Sequence, residues 1–280
     1  MTEKRIVVAH SPDSDDAFMF YGLASNNVDT GGIVVDQVLS DIETLNRAAF
    51  DGKYEVTAVS FHAFAHLSDK YALLPHGASM GDNYGPIVVA RQDGGPRGVK
   101  GARIAIPGTL TTAALLLRLW APAIPADRIR VMRFDEILGA VRDGGVDAGL
   151  IIHESRFTYP RYGLTQVVDL GQWWERETGH AIPLGGIAMR RDLGVNLIRR
   201  TERALADSVD FAWAHTPLIW PTVRRHAREM EDEVMRQHID LYVNAFTRDY
   251  GSQGEAAIGH LLRTAEELGI VPRSVQPLFV

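Results

Sequence analysis

The chain has 280 residues, and its 29 Lys and Arg against 35 Asp and Glu give a formal net charge of −6 at pH 7. This mild acidity argues against a nucleic-acid partner, which would require a basic surface. The chain contains no cysteine, which excludes disulfides, thiolate zinc sites, iron–sulfur clusters and a cysteine nucleophile. No run approaches the ~20 apolar residues of a membrane span, and the apolar run at 6–9 is too short for a secretory signal. We therefore expect a cytoplasmic protein with no membrane partner.

Short apolar runs alternate with stretches of helical periodicity, and this pattern favours βαβ units with mostly parallel sheets. The first part of the chain predicts strands at 5–9, 33–35, 55–60 and 86–90, with helices beginning near 17, at 41 and near 61. A polar segment rich in Gly and Pro follows at 91–98, and the pattern then restarts with strands at 103–106, 130–132 and 148–152. A further strand at 186–189 precedes helices at 201–214, 229–246 and 255–268.

Two similar α/β halves joined by a Gly/Pro-rich segment predict a two-lobed α/β protein. We assign residues 1–92 and 190–280 to the first, larger lobe and residues 93–189 to the second. Each lobe is predicted to be a mostly parallel sheet flanked by helices, with an active-site cleft between the lobes and a hinge near Gly94 and Gly95. Ligands of open α/β sheets bind outside the carboxyl ends of the strands. The residues that follow each strand are therefore the candidate ligand-binding and catalytic residues.

Two strand ends of the first lobe carry polar side chains. The first strand leads into the segment 11–16, in which the carboxylate of Asp16 can contact a ligand, bind a cation or cap the next helix. The spacing of a calcium loop is not met, so no metal site is predicted. Ser60 lies at a switch from strand to helix, where it can hold a carboxylate or simply cap the helix. No nucleophile-elbow motif surrounds it.

The strongest candidate for an anion site follows a strand of the second lobe. Gly108 permits a turn, and Thr111 and Thr112 offer hydroxyl and backbone N–H groups at the N-terminus of a helix, where partial positive charge favours an anion. The glycine and lysine spacing of a P-loop is missing. Plain helix capping by these threonines is the alternative.

A histidine ends another predicted strand of the second lobe. The apolar run at 148–152 delivers His153 to the strand end, where an imidazole can act as a general base near neutral pH. The alternative is a buried structural histidine. A zinc-protease motif is excluded because position 157 is Phe. Arg156 adds a cation beside His153 and is a candidate substrate contact, although it also suits a solvated loop.

Taken together, these motifs resemble one family over essentially the whole chain. The resemblance is carried by Ser11-Pro12, Asp15 to Phe18, Asp41 to Asn46, Gly108 with Thr111-Thr112, Gly149 to Tyr159 and the closing Pro277 to Val280. The chain is similar to the 1,4-dihydroxy-6-naphthoate synthases of the futalosine route to menaquinone. The most specific part is the stretch from His153 to Phe157.

The resemblance implies a fold like that of type II periplasmic binding proteins, used as an enzyme. It implies that cyclic dehypoxanthine futalosine is split into 1,4-dihydroxy-6-naphthoate and a small sugar-derived fragment, with His153 as the proton acceptor. It also implies substrate contacts at 58–60, which are Ala58, Val59 and Ser60, and at Thr111 and Thr112.

The reading of the residues agrees with this chemistry. A small aromatic carboxylate needs an anion site, and aromatisation can drive the cleavage of a carbon–carbon bond with a base and no metal or other cofactor.

Two other functions are compatible with parts of the pattern. One is a non-catalytic binding protein for small carboxylates with the same fold, although such proteins usually carry an export signal. The other is the chorismate dehydratase of the same pathway, whose family lacks a histidine at this strand end.

Overall fold

The computed structural model describes residues 4–92, 99, 101–226, 231–274 and 276–280. The chain divides into two compact units: unit 1 comprises Met1–Met80 and Pro183–Val280, and unit 2 comprises Gly81–Ile182. These boundaries lie before the expected positions 92 and 189, because the strand Ile87–Arg91 belongs to the sheet of unit 2 and the strand Ile182–Arg190 to that of unit 1. The predicted hinge at Gly94 and Gly95 lies outside the described residues.

The strands are short and mostly buried. In chain order they are β1 Lys4–His10, β2 Ile33–Leu39, β3 Val56–Ser60, β4 Tyr71–Leu73, β5 Ser79–Gly81, β6 Ile87–Arg91, β7 Ile104–Ile106, β8 Ile129–Val131, β9 Ala148–Ile151, β10 Leu164–Asp169 and β11 Ile182–Arg190.

The helices are short in the first two thirds of the chain and longer towards its C-terminal end. They are α1 Ser14–Met19, α2 Tyr21–Ala24, α3 Ile42–Phe50, α4 Phe61–Phe64, α5 Thr112–Trp120, α6 Ile137–Arg142, α7 Ser155–Thr158, α8 Leu170–Thr178, α9 Val195–Ala214, α10 Thr216–His226, α11 Asp232–Tyr242, α12 Ala245–Arg248 and α13 Gly251–Glu267. None of these helices is long and apolar enough to cross a membrane.

The sheet of unit 1 has the strand order β2-β1-β3-β11-β4, with β5 also paired to β11. The pairs β1–β2 and β1–β3 are parallel, whereas β11 runs antiparallel to both β3 and β4. Apolar side chains from β1, α1, α3 and α9 bury a common core that includes Val8, Phe18, Leu45 and Val209.

The sheet of unit 2 has the order β10-β6-β9-β7-β8. Its β9–β7 and β7–β8 pairs are parallel, and its β10–β6 and β6–β9 pairs are antiparallel. The core between this sheet and α6 includes Val89, Ala105, Ile137 and Ile151.

The two sheets are therefore mixed, whereas the sequence predicted mostly parallel pairing. The parallel pairs are those joined by βα crossovers, as expected. The antiparallel pairs involve β6 and β11. Neither strand is connected to its neighbours in the sheet by a βα crossover, so neither has to run parallel to them.

Local sequence explains where the helices near the sheet edges begin. The Asp41 side chain accepts a hydrogen bond from the Thr44 backbone at the start of α3. Asp169 accepts from the backbones of Gly171 and Gln172 at the start of α8. Each side chain satisfies a helix N–H group that has no partner inside the helix.

The start of α8 packs backbone against backbone within unit 2. A Cβ at Gly171 would lie 2.2 Å from the carbonyl carbon and oxygen of Tyr84 and 2.4 Å from the nitrogen of Gly85. Backbone atoms cannot rotate away as a side chain can, so only glycine is accommodated at position 171.

We therefore expect Gly171→Ala to destabilise the protein by about 3 kcal/mol or more, the upper range for overpacking. Gly179→Ala is the matched control, since Gly179 also borders α8 but a Cβ there would meet no other atom. This variant should lose only the free energy of placing alanine at a positive φ of 71°, about 1 kcal/mol. Urea unfolding of both variants measures the difference. Equal losses in the two variants would contradict the close backbone approach.

Candidate functional site

Neighbouring parallel strands bring two polar segments of unit 1 to one edge of its sheet. β1 and β3 are parallel neighbours, with Val8 opposite Val56. Their carboxyl ends therefore lie at the same edge, where β1 leads into the segment 11–16 and β3 ends at Ser60.

Asp16 is buried and turned back towards the loop that precedes it. Its Oδ2 accepts a hydrogen bond of 2.7 Å from the Ser11 backbone. Burial, and then the nearby charge of Asp15, raise the pKa of Asp16 well above its ordinary value of 3.8, although the bond from Ser11 opposes this shift. Asp13, at the N-cap of α1, makes no side-chain capping bond. The hydrogen bond of Asp16 is thus to the loop that precedes it.

His10 is a buried residue of the same edge that the sequence reasoning missed. Its Nδ1 lies 2.9 Å from the Ser11 carbonyl and its Nε2 lies 3.1 Å from the Gln37 amide nitrogen. A carbonyl can only accept, so Nδ1 carries the proton and Nε2 accepts from Gln37. The ring also stacks on Phe20 at 4.4 Å. His10 ends a strand, as His153 follows one, and this signal could have identified it.

Three carboxyl groups of the loop lie close enough together to hold a cation. Oxygen atoms of Asp13, Asp15 and Asp16 all lie within 4.8 Å of one another, and within the described ranges they are the group that could bind a metal ion. His238 of α11 lies beside them, with its Nδ1 2.7 Å from the Ser14 hydroxyl and 3.7 Å from Asp15. Its separation of more than two hundred residues from Ser14 left no signal in the sequence.

Ser60 is held by a side chain from the neighbouring helix α3. The Ser60 backbone donates to Asn46 Oδ1 at 2.9 Å, and Asn46 Nδ2 donates to the Ser60 hydroxyl at 3.0 Å. Ser60 makes no side-chain capping bond to α4. Ala58 and Val59 are buried apolar residues paired with β11, so a contact of theirs with substrate would involve the backbone.

The parallel pair β7–β9 brings the two candidate segments of unit 2 to one edge of its sheet. The Thr111 hydroxyl donates to the Gly108 carbonyl at 3.0 Å and accepts from the Ala114 backbone at 3.1 Å. This hydroxyl is therefore the N-cap of α5. Thr112, the first residue of α5, is also buried, and the helix N-terminus carries partial positive charge at this edge.

His153 stands two residues after β9 in a left-handed backbone conformation, with φ of 53°. A non-glycine residue held there stores strain, and such residues cluster at functional sites. The partly buried ring meets Phe134 edge to face at a centroid distance of 5.2 Å. The His153 carbonyl accepts from the Arg156 backbone at 3.2 Å, which closes the turn into α7.

Arg156 is anchored within unit 2. One of its guanidinium nitrogens, Nη1, donates to Asp169 and to the Gly85 carbonyl, both at 2.7 Å. Its guanidinium also lies 5.5 Å from the centre of the Tyr84 ring. The side chain is only 17% exposed and that of Asp169 is fully buried. Arg156 is thus an ordered cation and not the solvated one that the sequence allowed.

A family model described as menaquinone biosynthesis matches residues 6–267 of the chain. A 1,4-dihydroxy-6-naphthoate synthase of Thermus thermophilus is 47% identical over 272 residues, which cover 96% of this chain and 97% of that protein. The enzyme of the same name from Streptomyces coelicolor is 43% identical, with coverage of 97% and 96%.

Solved structures give the same fold. A protein of Archaeoglobus fulgidus superimposes with a TM-score of 0.89 at 43% identity, over 95% of this chain and 98% of that one. The alkanesulfonate-binding protein of Xanthomonas axonopodis has a TM-score of 0.72 at 11% identity, over 98% and 96% of the two chains. The α/β architecture with two sheets is thus that of periplasmic binding proteins, as predicted.

The raised pKa of Asp16 has a measurable consequence for stability. The folded chain holds this proton more tightly than the unfolded chain, so stability falls as pH rises from the ordinary pKa towards the raised one. We expect Asp16→Asn to melt at a higher temperature than the unmodified chain at about pH 7.5, with a gain that shrinks towards about pH 4.5.

The control is Asp207→Asn, which removes an exposed carboxylate of α9 and should change the melting temperature little at either pH. A loss of stability in Asp16→Asn at the higher pH, or a gain independent of pH, would contradict the raised pKa of this buried carboxyl group.

Proposed function

This chain belongs to the menaquinone-biosynthesis family, among its 1,4-dihydroxy-6-naphthoate synthases, and we propose that it converts cyclic dehypoxanthine futalosine to 1,4-dihydroxy-6-naphthoate. The second product is a small sugar-derived fragment. The observation that carries the proposal is the strained conformation of His153 at the sheet edge of unit 2, within the stretch that most specifically resembles this family.

His153 acts as the general base in this proposal. His153 lies in the turn after β9, which is closed by a hydrogen bond from the Arg156 backbone to the His153 carbonyl. The edge-to-face contact with Phe134 limits the rotation of the imidazole ring. An imidazole so fixed can accept a proton near neutral pH. A well-placed base contributes about 10² to 10⁴ in rate, and fixed orientation of the substrate adds to this.

Anion recognition in unit 2 comes from the N-terminus of α5. The Thr111 hydroxyl already serves as the cap, so its contribution to a carboxylate is to hold the first turn in place. Thr112, as the first residue of the helix, presents its hydroxyl where the helix dipole favours negative charge. Arg156, whose guanidinium is held in place by Asp169, is a further candidate contact in the same unit.

In unit 1, the proposed substrate contacts are Ser60, Asp16 and the backbone at Ala58 and Val59. Ser60 carries a hydroxyl fixed by Asn46, and a fixed hydroxyl can bind a substrate oxygen at little cost in entropy. Burial and the nearby charge of Asp15 raise the pKa of Asp16, which favours the neutral carboxyl group, and a neutral carboxyl group can donate a hydrogen bond to a polar substrate group.

The reaction is a carbon–carbon cleavage driven by aromatisation. His153 accepts the proton of a substrate hydroxyl, and the electron pair left on that oxygen forms the carbonyl group of the sugar-derived fragment. The carbon–carbon bond breaks, its electron pair enters the new aromatic ring, and the proton held by His153 returns to the oxygen of that ring. Because the ring itself stabilises the product, we propose a lyase that needs a base and orientation, and no redox cofactor.

We expect His153→Asn to lower turnover by about 10² to 10⁴. Asparagine tolerates the left-handed conformation that His153 adopts, so this variant removes the base while preserving the turn. The measurement is release of 1,4-dihydroxy-6-naphthoate from cyclic dehypoxanthine futalosine, with chorismate as an alternative substrate.

The control is His180→Asn, which changes a partly buried histidine of unit 2 outside the proposed site. For the unmodified chain, kcat/KM should rise with pH through the neutral range, where imidazoles lose their proton. Turnover of His153→Asn close to the unmodified rate would refute the role of His153. Binding without turnover would favour a carboxylate-binding protein, and dehydration of chorismate would favour the dehydratase.

Substitutions of Thr111, the N-cap of α5, and of Thr112, its first residue, should have different effects. Thr111→Val removes a helix cap and should cost about 1 kcal/mol of stability as well as raising KM. Thr112→Val keeps the branched shape and should raise KM with kcat nearly unchanged, as expected for loss of uniform binding. Thermal melting and steady-state kinetics on both variants test this, and an unchanged KM in Thr112→Val would remove Thr112 from the site.

A further inference from the structure

The segment 41–46 carries a motif that the proposed chemistry does not use. Asp41 begins α3 by accepting hydrogen bonds from the backbone and hydroxyl of Thr44. This cap fixes where α3 starts and therefore which side chains of the helix face β3. Asn46, which is completely buried, is one of them.

The two partners of the Asn46 side chain identify its amide oxygen and its amide nitrogen. A backbone N–H can only donate, so the atom 2.9 Å from the Ser60 nitrogen must be the amide oxygen. The amide nitrogen therefore faces the Ser60 hydroxyl at 3.0 Å and donates to it. An amide nitrogen cannot accept a hydrogen bond, so the hydroxyl proton of Ser60 is not used in this contact.

We propose that Asn46 is a positioning residue that turns the Ser60 hydroxyl into a hydrogen-bond donor towards an oxygen anion of the substrate. The two bonds hold the backbone and the side chain of Ser60 at once, so the direction of the hydroxyl is fixed before substrate binds. A donor at this position favours an acceptor oxygen, and its hydrogen bond to an ionised carboxylate is stronger than one to a neutral oxygen. This inference rests on the proposed function.

The test is Asn46→Asp, which changes one atom of the amide. One carboxylate oxygen can still accept from the Ser60 backbone. The other oxygen now accepts where the amide nitrogen donated, so it draws the Ser60 proton inward and away from the substrate. We expect kcat/KM to fall about 10-fold to 100-fold, the range for a lost hydrogen bond to a charged group, mainly through KM.

Ser60→Ala completes a double-mutant cycle. If Asn46 acts through the Ser60 hydroxyl, Ser60→Ala should show a loss similar to that of Asn46→Asp, and adding Asn46→Asp to Ser60→Ala should cause almost no further loss. A purely structural role of Asn46 would instead give the same loss in both backgrounds. Asn27→Asp, a change from amide to acid at an exposed position of unit 1, is the matched control and should leave kcat/KM unchanged.

Each outcome decides the inference. Unchanged kcat/KM in Asn46→Asp, or equal losses with and without the Ser60 hydroxyl, overturns it while the proposed function stands. An unmodified chain that does not turn over cyclic dehypoxanthine futalosine overturns the proposed function and, with it, the role of Asn46. Should Asn46→Asp fail to fold, Asn46→Ala enters the same cycle, with an expected loss of about 3-fold to 10-fold that again disappears without the hydroxyl.

Discussion

Two parallel strands that pair with each other must end at the same edge of their sheet, and this constraint organises both units. In unit 1 it applies to β1 and β3, so the loop that contains Asp16 and the end of β3 at Ser60 share an edge. In unit 2 it applies to β7 and β9, so the start of α5 and the turn at His153 share an edge. The candidate residues follow from strand direction and not from their order along the chain.

Ser60 and Thr111, two buried polar residues at these edges, have specific hydrogen-bond partners. The amide of Asn46 satisfies Ser60, and Thr111 bridges Gly108 and the first turn of α5. An unsatisfied buried polar group costs about 1 to 3 kcal/mol, so these pairs preserve stability while they fix side chains in place.

Two other features lower the stability of the folded state. The left-handed backbone of His153 and the crowded carboxyl group of Asp16 both disfavour the folded state. Such costs at a sheet edge are expected where function, and not folding, selects the residue.

Much of the architecture could be read from the chain. Short apolar runs predicted the strands that became β1, β3, β7 and β9, because their length and the turn residues around them distinguish them from helices. The antiparallel direction of β6 and β11 could not be predicted in this way, because pairing direction leaves no mark on a short buried run. The sequence also does not show which sheet a strand joins, so the predicted boundaries at 92 and 189 differ from those of the compact units.

The sequence by itself determined the class of protein, the family it resembles and the strand-end residues worth testing, including His153, Ser60 and Thr111. These depend on local patterns and short motifs. Only the tertiary structure decided that Asn46 holds Ser60 and that His238 reaches Ser14. Contacts between residues far apart in the chain are set by packing, and hydrogen-bond direction is set by the atoms that packing brings together, so neither is written in the local pattern.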